Sequence, residues 1–481
     1  MSTNRRSLYV VHMLIVLLLM FGFGYLPAFS PITPLGMKII GLFLGLLYGW
    51  TTVGLIWPSL IGMLALGLSG AMTTLNVLKE GFGSDTTLII LFLLIFAAIV
   101  DDSGLSKSIA MWIVTRPVFY GKPWLFTFSF LVMAFLLSAG TSTIGAIVLC
   151  WGILYMVVES LGYKPGDTYP AFMVITIVYA CTLGLCLLPF KSVPLALLGV
   201  FSSLSGEAVS YVNYTAFTAP VCLLSLLVIT LVGKFILRPD VTNLVNLNAD
   251  TFKNTTVEKL NKKQKIVLGF FAALIILLFM PNILPAEFFL AKILSNIGAT
   301  GTVVMLVAIM VMLHYEGKPL LNFRDMAAKG IQWDVVILTA MVMPLSNVIM
   351  ADETGIKQFL AGYLMPLVSG MSSMVFCATV AVLAIVITNF FNNGVTGLIF
   401  ITLTYDASIS MGLNPTVVTI LIIFCVHLAL LTPAASPMAA LLHSNRTWAP
   451  TSLIYKYGAL SIIVTAVFLL IVGVPLANAI F

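Results

Sequence analysis

Charged residues are scarce in this chain of 481 residues: 8% are Asp, Glu, Lys or Arg, whereas 60% are hydrophobic. Soluble domains carry roughly 25% charged residues. This composition excludes a soluble globule and indicates that lipid is the solvent. The largest polar segment, residues 238–265, is too short to fold by itself. It is predicted to be a cytoplasmic linker between two halves of one membrane domain, 1–237 and 266–481.

Cysteine and histidine are also few, with six and four residues. The cysteines lie in apolar segments and have no zinc-type spacing, so neither a zinc site nor a disulfide is predicted. No phosphate loop or dinucleotide fingerprint occurs. Ser436 with His427 or His443 is the nearest approach to a catalytic pair, but a predicted helix break separates Ser436 from His427 and gives no reason to align them. The chain is interpreted as neither an enzyme nor a nucleic-acid-binding protein, and no cofactor is expected.

Acidic residues are missing from the predicted centre of the bilayer. The carboxylates of the hydrophobic regions are expected near the ends of spans: Asp85, Asp101, Asp102, Asp334 and Asp406. A relay of buried carboxylates is the usual sign of a proton pump. The sequence shows no such relay.

Long hydrophobic segments dominate what is present. About 20 apolar residues suffice to cross a bilayer as a helix. Segments of this kind lie near 8–28, 36–50, 52–70, 86–101, 168–200, 216–237, 266–281, 297–313, 334–350, 415–445 and 450–478. Two more stretches, near 124–160 and 371–410, are hydrophobic hairpins with polar middles. The fold class predicted is an all-α integral membrane protein with about 11 transmembrane helices.

The distribution of basic residues sets the predicted orientation. If the N-terminus is cytoplasmic, most loop lysines and arginines fall on the cytoplasmic side, including the cluster from Arg238 to Lys265. Only Lys38, Lys79, Lys292 and Lys357 fall outside. This asymmetry satisfies the positive-inside rule. We expect a multi-pass protein of the cell (inner) membrane with an extracytoplasmic C-terminus.

One pattern occurs twice, about 250 residues apart. Each copy has an entry motif ending in Asp, a Ser-Gly or Thr-Gly pair, a hairpin with a polar tip, and an interrupted apolar helix. The segments are 81–85, 103–104, 138–143 and 188–194 in the first copy, and 330–334, 354–355, 392–396 and 431–437 in the second. The first copy enters the membrane from outside and the second from inside. Two inverted repeats, each with a re-entrant hairpin and a broken helix, are typical of secondary transporters.

The breaks are the candidate binding site. Irregular backbone at membrane depth survives only where it lines protein or a water-filled cavity. Helix N-termini at such breaks attract anions, and unwound carbonyl groups suit a cation such as Na⁺. The candidate substrate-binding residues are Gly140, Thr141, Ser142, Thr143, Lys191, Asn392, Asn393, Gly394, Thr396, Thr432, Ser436 and Pro437.

Two ionisable residues within spans have alternative interpretations. Lys191 lies in the first break, where it is either a fixed positive charge facing an anionic substrate or a lysine that snorkels to the outer interface. His427 lies in mid-span before the second break. It either carries protons or is neutral and bonded to a backbone carbonyl.

At the hairpin tips the chain resembles the divalent anion/sodium symporter family of the ion-transporter superfamily. That family carries Ser-Asn-Thr followed by Ala-Thr at each tip. Here the tips read Ala139-Gly140-Thr141-Ser142-Thr143 and Asn392-Asn393-Gly394-Val395-Thr396. The family's downstream break is similar to Ala435-Ser436-Pro437-Met438, and its early helix pair to residues 48–52 followed by Pro58. The similarity in layout covers residue 36 to the end.

The resemblance implies an elevator-like transport domain on a dimeric scaffold, with dicarboxylates, tricarboxylates or sulfate as substrates. It implies substrate or sodium contacts for Thr141, Thr143, Asn393 and Thr396, with Thr141 and Asn393 as candidate Na⁺ ligands. The hypothesis is a secondary active transporter of a small anion, working by cation-coupled symport or anion exchange as a homodimer. The alternative is an Na⁺/H⁺ antiporter or a metalloid-anion exporter of the same superfamily.

Overall fold

The computed structural model describes residues 3–248, 251, 259–285, 287–349, 351–359, 362, 370–433 and 435–481. The α-helices described in full are α1 (Thr3–Leu17), α2 (Pro34–Thr52), α3 (Ile56–Ser69), α4 (Thr74–Phe82), α5 (Asp85–Asp102), α6 (Leu105–Val114), α7 (Pro123–Gly140), α8 (Thr143–Ser160), α9 (Thr168–Leu187), α10 (Ser192–Ser205), α11 (Tyr211–Val232), α12 (Lys262–Ile283), α13 (Phe289–Met312), α14 (Phe323–Gly330), α15 (Trp333–Ile349), α16 (Ser373–Thr388), α17 (Asn393–Ser410), α18 (Pro415–His427), α19 (Pro437–Ser444), α20 (Thr451–Phe468) and α21 (Val474–Ile480).

Other secondary structure within the described residues is short. Three π-helical turns extend α1, α11 and α20, at Leu18–Gly22, Gly233–Leu237 and Leu469–Gly473. Single 3₁₀ turns occur at Phe23–Tyr25, Pro117–Phe119, Asn243–Asn246 and Asp352–Thr354. Strands β1 (His314–Tyr315) and β2 (Lys318–Pro319) pair antiparallel in the connection between α13 and α14. They are the one departure from the all-α prediction.

Helix length and composition confirm a multi-span membrane protein. Nine helices of the described chain are long and apolar enough to cross a bilayer. Two bent pairs raise the number to eleven: α4 with α5, bent by 48°, and α14 with α15, bent by 76°. These bends lie within the two predicted entry motifs, and the prediction of about 11 membrane helices is confirmed.

Each half contains the predicted hairpin and broken helix. The first hairpin consists of α7 and α8, and the second of α16 and α17. The first broken helix is α9 with α10, and the second is α18 with α19. The first break is shorter than predicted, because α10 already begins at Ser192. The second break is longer at its start, since α18 ends at His427, and Pro437 opens α19 because the first helical position needs no N–H donor.

The two copies share the same internal hydrogen bonds. In the first, Ser138 Oγ donates to Cys181 O at 2.7 Å and lies 3.2 Å from Thr143 Oγ1. In the second, Thr388 Oγ1 donates to Val426 O at 2.8 Å and lies 3.5 Å from Asn393 Oδ1. Each hydroxyl therefore ties a hairpin to its broken helix at the matching position. These bonds satisfy polar groups that lipid cannot solvate.

The helices around the two hairpins form two groups, against which α6, α11, α20 and α21 pack. The hairpin body consists of α7–α10 and α16–α19: α7 and α8 pack on α9, and α16 and α17 pack on α18. The frame consists of α1–α5 and α12–α15, where α15 packs on α3 and α4, and α5 packs on α13 and α14. Helix α10 lies at the boundary, in contact with α5 and α15 on one side and α17 on the other.

Close packing of the first hairpin on α9 depends on Gly184. A Cβ atom at Gly184 would lie 2.3 Å from Phe135 O and 2.9 Å from Ser138 Cβ. We expect Gly184→Ala to lower the free energy of unfolding by about 1–3 kcal/mol, because overpacking forces the backbones apart. Thermal unfolding of the detergent-solubilised protein measures the change.

Gly152→Ala is the matched control, because a Cβ atom there would meet nothing within 4 Å. It replaces a helical glycine of α8 and should leave the melting temperature unchanged or raise it. Equal melting temperatures for the two variants would contradict the packing assigned to Gly184.

Candidate functional site

One cavity receives both hairpin tips and both broken helices. It has a volume of about 660 Å³. The predicted site residues that line it are Thr141, Ser142, Thr143, Lys191, Asn392, Asn393, Gly394, Ser436 and Pro437. Its apolar walls come from both the hairpin body and the frame, for example Leu197 of α10 and Leu338 of α15. The predicted convergence of the two copies is therefore present in the fold, whereas binding at these residues stays a prediction.

At the first hairpin tip, one peptide group is hydrogen-bonded to two side chains of opposite charge. Helix α7 ends at Gly140 and α8 begins at Thr143, so the peptide between Thr141 and Ser142 lies in the break. Lys191 Nζ donates to its carbonyl oxygen, Thr141 O, at 2.6 Å. Its N–H, that of Ser142, donates to Asp101 Oδ2 at 3.2 Å. Lys191 thus binds the carbonyl oxygen of this peptide group, and Asp101 binds its N–H.

Lys191 has a defined partner at the first hairpin tip. Its side chain turns toward the first hairpin tip and lines the cavity, whereas snorkelling would take it to the outer interface. This contact favours the interpretation of Lys191 as a positive charge at the site, and its contact with an anionic substrate stays a prediction. A cation within a span needs an acceptor, and the C-terminal end of α7 supplies the carbonyl oxygen of Thr141.

Asp101 is a carboxylate at the cavity that the sequence analysis did not include among the site residues. It lies at the end of α5, as the sequence indicates, but the first hairpin tip is folded back against that end. Its side chain is exposed to the cavity. The next residue, Asp102, forms ion pairs with Lys263 at 3.3 Å and Lys329 at 3.2 Å. Asp334, in the first turn of α15, also lines the cavity.

The second tip is capped by its own asparagine. Asn392 Oδ1 accepts hydrogen bonds from the N–H groups of Gly394, at 2.9 Å, and Val395, at 3.4 Å. Ser142 plays the same role at the first tip, where its Oγ accepts from Gly145 N at 3.4 Å. Ser436 caps α19 through Ala439 N at 3.0 Å. Helix α10 has no side-chain cap, and Lys191 stands at its N-cap position.

Three predicted residues lie outside the cavity lining. Gly140 packs against the ring of Phe271, which a Cβ atom would approach to 3.3 Å. Thr396 is fully buried in α17, and its Oγ1 has no hydrogen-bond partner among the described residues. Thr432 donates its hydroxyl proton to Asn389 O. Their roles toward a ligand are untested, and in this conformation they do not face the cavity.

The predicted Na⁺ ligands are engaged with the protein. Thr141 Oγ1 donates to Leu137 O at 2.7 Å, and Asn393 Oδ1 lies near the Thr388 hydroxyl. No cluster of three His, Cys, Asp or Glu residues suited to a metal occurs in the described ranges. Na⁺ binding by hydroxyl, amide and carbonyl oxygens stays a prediction.

His427 and the pair considered for catalysis are bound to backbone groups. His427 is fully buried, and its Nδ1 lies 2.6 Å from Ile423 O. Ser436 Oγ donates to Ala429 O at 3.2 Å. This arrangement matches the interpretation of His427 as a residue bonded to a carbonyl. His427 Nε2 has no partner within the described structure.

Asn389 organises the second break and was missed by the sequence analysis. Its Nδ2 donates to Ile385 O and Leu428 O, at 2.8 and 3.0 Å. Its Oδ1 accepts from the N–H groups of Leu430 and Leu431, at 3.1 and 2.8 Å. One buried amide therefore replaces the helical bonds that the unwound segment has lost. The only signal in the sequence is an asparagine just before the tip, in Thr388-Asn389-Phe390-Phe391-Asn392-Asn393.

The comparisons with known proteins identify the family. The family model described as CitMHS, citrate transporter, matches residues 46–300, just over half of the chain. The chain belongs to the citrate transporter family. This confirms the resemblance to a transporter family of the ion-transporter superfamily. Curated proteins show no match to the chain.

Solved structures of two transporters share the fold over nearly the whole chain. The YdaH transporter of Alcanivorax borkumensis, reported to have an unusual topology, is 15% identical, with 97% of each chain covered and a TM-score of 0.58. MtrF of Neisseria gonorrhoeae, reported to illuminate a class of antimetabolite efflux pumps, is 14% identical. In that comparison 96% of this chain and 94% of MtrF are covered, with a TM-score of 0.54. At these identities the likeness shows the fold alone.

The buried amide of Asn389 can be tested by substitution. Asn389→Leu keeps the approximate size but leaves two N–H groups and one carbonyl of the second break without partners. Each unpaired buried group costs about 1–3 kcal/mol. We expect a large fall in melting temperature, and Asn76→Leu, at an exposed position of α4, serves as the control. An Asn389→Leu protein that melts with the wild type would contradict the assigned role.

Proposed function

We propose that this member of the citrate transporter family is a secondary active transporter of a small di- or tricarboxylate such as citrate. The observation that carries the proposal is the shared cavity. Two polar hairpin tips from inverted repeats and the Lys191 ammonium face one volume of about 660 Å³. Small-molecule sites in proteins typically span about 300–1,000 Å³.

The donors of the cavity suit a carboxylate. Within the described residues, helix α10 begins at the break without a side-chain cap, which leaves the N–H groups of Ser192 and Val193 to bind an anion, and Lys191 stands beside them. The field at a helix N-terminus favours negative charge. Asn392 and Asn393 add amide donors from the opposite repeat. A substrate with two or three carboxylates can engage both repeats at once.

The charges of the cavity favour coupling to a cation. Lys191 and Asp101 carry opposite charges at the first tip, and Asp102 is paired with Lys263 and Lys329. A multiply charged anion therefore enters a site that has no large excess of positive charge. Co-binding of Na⁺ or another cation offsets this charge, which supports cation-coupled symport; anion exchange is the other mode consistent with the site.

The packing supports alternating access of the elevator type. The tips and the broken helices belong to the hairpin body, whereas α5 and α15 on the other side of the cavity belong to the frame. A shift of the hairpin body against the frame carries the tips from one side of the membrane to the other. We propose a homodimer in the cell inner membrane, with the N-terminus cytoplasmic and the C-terminus outside. Export, as by an antimetabolite pump or metalloid-anion exporter, and Na⁺/H⁺ antiport are the rival functions.

Uptake of radiolabelled citrate into proteoliposomes tests the proposal, with and without inward Na⁺ and proton gradients. We expect saturable uptake that a cation gradient drives or that internal citrate accelerates. Citrate-independent Na⁺/H⁺ exchange, with no citrate movement in either direction, would contradict the proposal in favour of the antiporter.

Lys191→Gln should reduce citrate affinity about 10- to 100-fold, because a hydrogen bond to a charged group is worth about 1.5–3 kcal/mol. Lys191→Arg should retain part of the activity, since the charge remains. Lys164→Gln, in the exposed turn between α8 and α9, is the control for the loss of a lysine. Unchanged affinity in Lys191→Gln would remove Lys191 from the site.

A further inference from the structure

We propose that Asp101 is an internal competitor of the anionic substrate that holds the empty transporter in the present conformation. The inference rests on the proposed anion transport. It concerns the step at which the empty site must move, and it starts from the contact between Asp101 Oδ2 and Ser142 N.

That contact joins the two groups of helices. Asp101 ends α5, which packs on α13 and α14 of the frame. Ser142 lies at the tip of the first hairpin, which packs on α9 within the hairpin body. Lys191 donates a hydrogen bond to the carbonyl oxygen of the same peptide, but it belongs to the hairpin body and moves with the tip. A shift of the hairpin body would therefore separate this peptide from Asp101, which stays with the frame.

Asp101 accepts a hydrogen bond from the N–H of Ser142, and a substrate carboxylate would use the same donor. Ser142 N–H is the N-cap amide of α8 and faces the shared cavity. An anion bound there would also feel repulsion from the Asp101 charge. Since the Asp101 side chain is exposed to the cavity, a substrate can displace it without unfolding any element.

The other charged groups around the tip have their own partners or lie on the frame. Asp102 is paired with Lys263 and Lys329, and Asp334 lies in the first turn of α15. Asp101 is thus the carboxylate that binds the tip directly. Substrate binding breaks the hydrogen bond between Asp101 and Ser142. Without substrate, the hairpin body must break this link itself before it can cross the membrane.

This role has a kinetic consequence. In exchange, the transporter crosses the membrane loaded in both directions, so the link is absent throughout. In net transport, one crossing is made empty, and the link slows it. Asp101 therefore favours exchange over net transport.

The ratio of net to exchange transport of radiolabelled citrate in proteoliposomes measures this effect. Vesicles contain either excess unlabelled citrate or none, under the same cation gradient. Asp101→Asn keeps an acceptor but loses the charge, and it should raise the ratio about 5- to 10-fold with exchange preserved. Asp102→Asn is the matched control and should leave the ratio unchanged, because its carboxylate binds Lys263 and Lys329.

A second pair of variants changes the donor. Ser142→Pro removes the N–H at a residue whose φ of −63° already suits proline, whereas Ser142→Ala keeps the N–H, and both lose the hydroxyl cap. The proline variant should show the higher ratio of the two.

The inference would be overturned if Asp101→Asn had the wild-type ratio, or if it lost exchange and net transport alike. Equal ratios for Ser142→Pro and Ser142→Ala would also overturn it. A wild-type protein that moves no citrate in either mode would overturn the proposed function and, with it, this inference.

Discussion

The need to pair every backbone polar group at membrane depth governs this structure. A break in a membrane helix exposes N–H and C=O groups that lipid cannot satisfy. The chain meets this need with a few polar side chains rather than with water alone. Lys191 and Asp101 satisfy the peptide at the first tip, and Asn389 satisfies the unwound segment of the second broken helix. The polar groups of the two tips and breaks that line the cavity are the candidate ligand donors.

The two copies pair the backbone polar groups of their breaks with different kinds of side chain. Hydroxyls at Ser138 and Thr388 tie each hairpin to its broken helix in the same way. At the breaks the copies diverge: the first is short and uses charged side chains, whereas the second is longer and uses a neutral amide. Sites with inverted repeats can therefore be chemically asymmetric, with the charge of the site concentrated in one copy.

The sequence predicted the spans, the inverted hairpins and the convergence of their tips, because hydrophobic length and polar interruptions are local signals. It also placed Lys191 at the site, since a lysine within a span is conspicuous. It could not place Asp101, which looks like an ordinary residue at the end of a span until the first hairpin folds back against it. Asn389 was missed for the same reason: its partners are about 40 residues away in sequence. Thr396 shows the converse, because its polarity suggested the cavity and packing buried it.

The central claim is that one citrate-binding cavity is built from both repeats. Substrate protection of single engineered cysteines tests it most directly, because all six native cysteines are buried. Ile144→Cys and Pro437→Cys place thiols on the cavity wall in the first and second copies. The account predicts that citrate slows labelling of both by a membrane-impermeant maleimide, but does not slow labelling of Ser160→Cys at the exposed end of α8. Protection of neither cavity position, or of only one, would contradict it.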